Sequence, residues 1–152
     1  MFKDKIYGIS QNSDTKDYII ILYNEYSEEY FKECYVKYSE SDENKNHFTN
    51  WISWNEKIDN LIQEMQLKIN VYRDILFEWI PYNQFSDIEE IGKGGFATVY
   101  SAIWKDGPLC HKKNKDKLAR APDKKVALKC LSNSQNISDE FLNKVWNFLI
   151  LK

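Results

Sequence analysis

The chain has 152 residues, of which 43% are hydrophobic and 15% aromatic, and its formal net charge is −2. That apolar content is enough for a core and excludes wholesale disorder, while five Gly and three Pro exclude collagen-like and low-complexity classes. The near-neutral balance gives no global attraction to nucleic acid or to a membrane surface.

Cys34, Cys110 and Cys130 are too few, and odd in number, for a disulfide framework, so a reducing intracellular setting is expected, with the cytoplasm as the default. Met1 to Ser10 carries no long apolar stretch, and Ile19 to Leu22 is far too short to span a bilayer. Neither a secretory signal nor a transmembrane segment is read here.

The elements fall into four units: 1–23, 24–52, 53–80 and 81–152. Lys5 to Ile9 and Asp17 to Leu22 are β-rich runs joined by a polar stretch with Asn-Ser-Asp turn chemistry, which predicts a hairpin with a long loop. Glu25 to His47 carries seven carboxylates against Lys32, Lys37 and Lys45 and reads as an acidic linker, with a short helix around Glu28 to Tyr38. Ser53-Trp54-Asn55-Glu56 fits a capping box. Behind it, Ile58, Leu61, Ile62, Met65, Ile69 and Tyr72 form one stripe of an amphipathic helix of about 16 to 20 residues, expected to pack against a partner surface. Pro81 sets its outer limit.

Phe85 to Trp104 reads as two strands around a glycine-rich turn, and Lys124 to Leu131 as a third. Between them, Ile103 to Lys125 is a polar stretch that from Lys105 holds eight basic residues against three Asp, and a solvated charged loop is its plain reading. Ser138 to Leu151 places Phe141, Leu142, Val145, Phe148 and Leu149 on one helical face, with Ser138 as N-cap and Asp139 and Glu140 at the positive helix start.

The chemistry concentrates in Ile91-Gly92-Lys93-Gly94-Gly95-Phe96-Ala97-Thr98-Val99-Tyr100. Glycines at 92, 94 and 95 let the backbone approach phosphate oxygens without Cβ obstruction. Phe96 can cap the loop tip, and Val99 can offer an apolar surface to a flat base. Val126-Ala127-Leu128-Lys129 then places a lysine in an otherwise apolar strand. Taken alone, Lys129 reads equally well as an edge lysine facing solvent. Beside the glycine loop, a phosphate is the natural counter-ion. For metals, Cys110-His111 are adjacent and Cys34 lacks a second thiol at the usual interval, so no metal site is assigned.

Gly92 to Val99 and Val126 to Lys129 resemble the glycine-rich loop and third-strand lysine of eukaryotic-type protein kinases. With Phe77 to Tyr82 leading into the first strand, the similarity is to the tyrosine-kinase-like branch and covers about Trp79 onward. It implies an α+β fold, an incomplete kinase-type small lobe of antiparallel sheet plus one helix. It also implies ATP, with magnesium, as ligand and phosphoryl transfer to protein Ser, Thr or Tyr as the family reaction. Ile91, Val99 and Ala127 would sandwich adenine. Gly92, Lys93, Gly94, Gly95, Phe96 and Ala97 would form the phosphate loop, and Lys129 would grip the α- and β-phosphates. Ile6 to Leu22 resembles the fourth and fifth strands of the same lobe, displaced to the N-terminus, with an unrelated hairpin as the alternative.

Two departures stand beside the resemblance. The family's helix glutamate falls fifteen residues after the lysine, where this sequence has Lys144. His47 and His111 precede Phe48 and Lys112, so no His-Arg-Asp motif occurs, nor does Asp-Phe-Gly, and no catalytic residue is assigned. These departures point to the competing class, a non-catalytic, pseudokinase-like module that binds protein partners through its helices, with no nucleic-acid or membrane partner expected.

Overall fold

The computed structural model describes residues 6–23, 34–35, 52–67, 77–112, 118–136 and 138–150. Their fold is α+β, a mixed six-stranded sheet with two helices on one face and a smaller three-stranded sheet beside it.

Strands β1 (Ile6–Gln11) and β2 (Tyr18–Tyr23) form the expected hairpin. Its turn is held by side chains: Asn12 Oδ1 accepts from the backbone N–H groups of Asp14 (2.8 Å) and Thr15 (3.2 Å), and Thr15 Oγ1 accepts from that of Asp17. These short Asx and Thr side chains reinforce two backbone bonds across the turn, Asn12 N to Asp17 O and Lys16 N to Asn12 O, both 2.9 Å.

The acidic segment differs from expectation. Cys34–Tyr35, at the centre of the anticipated helix, form strand β3, and the remainder of 24–51 lies outside the described residues.

Helix α1 spans Glu56–Leu67. Ser53 is not its N-cap. Asn55 takes that place, its Oδ1 accepting from Lys57 N (3.0 Å) and Ile58 N (3.3 Å). Ser53 instead binds Asp59, which accepts from both the Ser53 backbone N–H (2.8 Å) and its hydroxyl (2.6 Å). Ile69 and Tyr72 lie outside the described residues. The segment 53–80 is not helical throughout, because strand β4 (Glu78–Trp79) follows, pairing parallel to β1. Nor does the stripe await a partner. Ile58, Leu61 and Ile62 are buried in this chain's own core with Ile6, Ile9, Tyr18 and Ile20.

After a 3₁₀ turn at Tyr82–Gln84 come β5 (Phe85–Lys93) and β6 (Ala97–Trp104). The basic insertion is not a plain loop. Strands β7 (Leu109–Lys112) and β8 (Leu118–Arg120) form an antiparallel arm, and β3 pairs with β7 to complete the small sheet. Gly107 turns into that arm with φ of 69°, and a Cβ there would collide with the Ala121 carbonyl oxygen, so only glycine fits.

Strand β9 (Lys124–Leu131) and helix α2 (Asp139–Ile150) end the described chain. Ser138 caps α2 as expected, its Oγ accepting from Phe141 N at 3.1 Å. Phe141, Leu142 and Val145 pack into the same core as α1, while the side chains of Phe148 and Leu149 lie outside the described set.

The strand order of the main sheet is β4-β1-β2-β9-β6-β5. The N-terminal hairpin therefore joins β9 directly, with Ile20 opposite Lys129 and Leu22 opposite Ala127. Alternation sorts the residues onto two faces. Ile20 and Leu22 meet the helices, whereas Ile19 and Ile21 join Tyr7, Trp104, Val126 and Leu128 in a second core on the other side. No helix among the described residues is long and apolar enough to cross a membrane.

Candidate functional site

The glycine loop is the hairpin between β5 and β6, at one edge of the main sheet. Gly94 N donates to Ala97 O at 2.9 Å, and Ser132 N donates to Phe96 O at 3.0 Å, which ties the loop to the end of β9. A Cβ built at Gly92 or Gly95 meets nothing within 4 Å, and at Gly94 it makes only an ordinary contact with Ala97 O at 3.7 Å. None of the three has positive φ; among the glycines only Gly107 does. The fold itself could carry side chains at 92, 94 and 95. At Gly8 and Gly107 it could not, because a Cβ would strike the carbonyl oxygens of Glu78 and Ala121.

Register then assembles the rest. Gly92 pairs with Val99, Val99 with Lys129, and Ser101 with Ala127. Directly opposed residues in an antiparallel pair point to the same face, so Val99, Ala127 and Lys129 share one. That face also bears Ile20 and Leu22 and faces α2. Under β1 and β2 the helices cover it, but toward β5 it opens. Val99, Ala127 and Lys129 are half-buried, Lys93 is exposed, and Phe96 is 89% exposed at the loop tip.

Ile91 stands apart from the expected adenine sandwich. Glu90 pairs with Tyr100 and Gly92 with Val99, which makes Ile91 the extra residue of a β-bulge, 61% exposed. A second irregularity between Ser86 and Glu89 contains Asp87 at φ 52°. These bulges, with Asp87, Glu89 and Glu90 exposed, keep the outer edge of β5 unsuited to pairing with another chain.

Behind Lys129, on the opposite face, Cys130 packs near Tyr100 and Tyr82, and burial, with a smaller contribution from Asp17, pushes its thiol up to about 11. It is a packing residue, not a nucleophile. The side chain of Lys144, which stands where the resemblance expects the helix glutamate, lies outside the described set. Cys34, Cys110 and His111 are placed by backbone alone, and among the described residues no three His, Cys, Asp or Glu cluster as metal ligands.

Two features escaped the sequence. Helices α1 and α2 flank a groove of about 360 Å³ whose walls include Asn60, Leu61, Glu64, Leu142 and Trp146, together with an exposed Lys57–Asp139 contact of 3.2 Å. Glu78 and Arg120 form a largely buried ion pair at 2.7 Å. Neither pairing leaves a signal in spacing, because the partners lie 82 and 42 positions apart. Searches for related proteins add no relative to this picture: no protein-family model, no curated protein and no solved structure matches the chain.

Proposed function

We propose that the chain is a nucleotide-binding module of the protein-kinase small-lobe kind, taking ATP phosphates under the glycine loop. The observation that carries this reading is the set of glycines at 92, 94 and 95. The fold does not require them, yet they stand at the open end of the face bearing Val99, Ala127 and Lys129. Residues that packing leaves unexplained are best explained by a ligand that needs the backbone close.

In this reading the loop N–H groups face phosphate oxygens, as glycine backbones do in anion-binding nests. Gly94 N is already engaged by Ala97 O, so Gly95 and Phe96 carry most of that contact. Val99, Ala127 and Leu22 form the apolar ledge for the base, and the Lys129 ammonium neutralises phosphate charge. Joining the N-terminal hairpin to β9 supports the likeness of Ile6 to Leu22 to the fourth and fifth strands of such a lobe. Magnesium would arrive with the nucleotide, whose phosphates would hold it.

The second reading, a non-catalytic module that binds protein partners, is favoured by Lys144 at the position where the family's helix carries glutamate. It is favoured also by the groove between α1 and α2.

Titration of the full chain with Mg-ATP, followed by backbone amide NMR, tests the first reading. Shifts confined to Gly92–Val99 and Lys129, with a dissociation constant weaker than about 1 mM (under roughly 4 kcal/mol), are expected, and Lys129→Ala should remove them. Spectra that stay unchanged at nucleotide concentrations far above about 1 mM would leave the second reading standing.

A further inference from the structure

The face opposite the glycine loop carries a polar feature that nucleotide binding does not use. Glu78 on β4 is 1% exposed, and its Oε2 accepts from Arg120 Nη1 at 2.7 Å. Arg120 also donates to Gly107 O at 3.1 Å, which fixes the guanidinium at the base of the β7–β8 arm. Glu78 Oε1, equally buried, has no hydrogen-bond partner among the described residues. An ionised carboxylate only accepts hydrogen bonds, so only a donor can satisfy it.

Glu78 lines a partly open cavity of about 40 Å³. Ile80, Pro81 and Trp104 supply its apolar lining, and Asp106 and Gln84 contribute the remaining polar groups with Arg120. Room for one donor head is available, since a single water needs at least roughly 10–15 Å³ of such space. Charge selects among donors. Glu78 and Asp106 bring two negative charges against the one positive charge of Arg120, so the lining favours a cation. The Gln84 side-chain oxygen is already engaged, accepting from Asp106 N at 3.1 Å. The Trp104 indole in the lining points the same way, because aromatic rings attract cations and reject anions. Apolar walls at the mouth suit a hydrocarbon stem better than a hydrated metal ion.

We propose that this cavity binds a primary alkylammonium group, with Glu78 Oε1 as its buried acceptor, Asp106 as second counter-charge, and Ile80 and Pro81 against the carbon stem. A lysine side chain of a partner protein and a free small amine present this same chemistry. The site is independent of the glycine loop.

The test uses the full chain with n-butylammonium chloride, and sodium chloride at equal ionic strength as reference. The melting midpoint should rise with butylammonium concentration beyond the salt reference, and the indole N–H signal of Trp104 should shift. Tetramethylammonium, which has no N–H to donate, should do neither. Glu78→Gln should weaken the response at least about tenfold, the loss of a charged hydrogen bond. Identical responses to sodium and butylammonium would mean that the cavity holds water only and would overturn the proposal, as would an undiminished response in Glu78→Gln. Should that variant fail to fold, Asp106→Asn replaces it, and an unchanged affinity there is equally fatal. Tighter binding of Nα-acetyl-lysine methylamide than of butylammonium would assign the site to a partner's lysine, and the reverse order to a free amine.

Discussion

Ile20 stands directly across from Lys129, on neighbouring strands drawn from opposite ends of the chain. That pairing makes the N-terminal hairpin a structural wall of the candidate site and not an appendage. Ile20 is buried beneath Val145 and Phe141 on the face that carries Lys129, so anything that displaces the hairpin also uncovers the lysine strand.

Ile20→Ala should therefore destabilise the whole domain by about 2–5 kcal/mol, the range for truncating a buried isoleucine. Urea unfolding followed by both Trp fluorescence and far-UV circular dichroism should remain a single transition with a lower midpoint. A lost early phase with an unchanged main transition would show that the hairpin unfolds separately.

The glycines divide into two groups with opposite expectations. Gly8→Ala and Gly107→Ala set a Cβ against the carbonyl oxygens of Glu78 and Ala121, and should cost well over about 1 kcal/mol each. Gly92→Ala and Gly95→Ala meet open space and should leave the melting temperature nearly unchanged while weakening nucleotide-induced shifts. Loss of fold in the second group would remove the argument that those glycines serve a ligand.

Asn55→Ala should cost about 1 kcal/mol through loss of the cap on α1. Amide exchange at Lys57 and Ile58 should quicken more than exchange in the centre of the helix. Equal exchange rates in the two proteins would mean that Ser53 serves as the cap after all.

Burial raises the pKa of Glu78 above the ordinary 4.5, and the Arg120 hydrogen bond opposes this without cancelling it. A carboxyl raised in the folded state contributes stability that is fully present below the unfolded value and is lost as pH rises through the folded value. In the window above pH 4.5, wild type should thus lose stability relative to Glu78→Gln as pH rises, and the difference between them should level off toward pH 4.5 and below. Urea midpoints measured from pH 4 to 8 check this, and the opposite trend would contradict the burial argument.

Much of the fold was legible because it is encoded locally. Ser138 caps α2 in the structure as its position before Asp139 and Glu140 suggested, and the strands flanking the glycine loop follow from β-branched runs interrupted by glycine. Ser53 misled because Ser and Asn are both good caps and Glu56 sits at capping-box spacing. The bond to Asp59 that draws Ser53 away is visible only in three dimensions. Strand β3 was unreadable for a related reason: two residues acquire strand geometry only from β7, far along the chain. At the site, register placed Val99, Ala127 and Lys129 together, but the bulge that exposes Ile91 comes from pairing between strands and has no sequence mark.

The junction of β2 with β9 also sets a timetable for synthesis. A ribosome at about 5–20 residues per second makes the hairpin wait on the order of 5–20 s before β9 emerges. Until then Ile19 and Ile21, fully buried in the finished domain, have no sheet to enter. In that interval β2 has only β1 to pair with, and its other edge waits for β9. Such contacts between distant parts of the chain also slow folding after release.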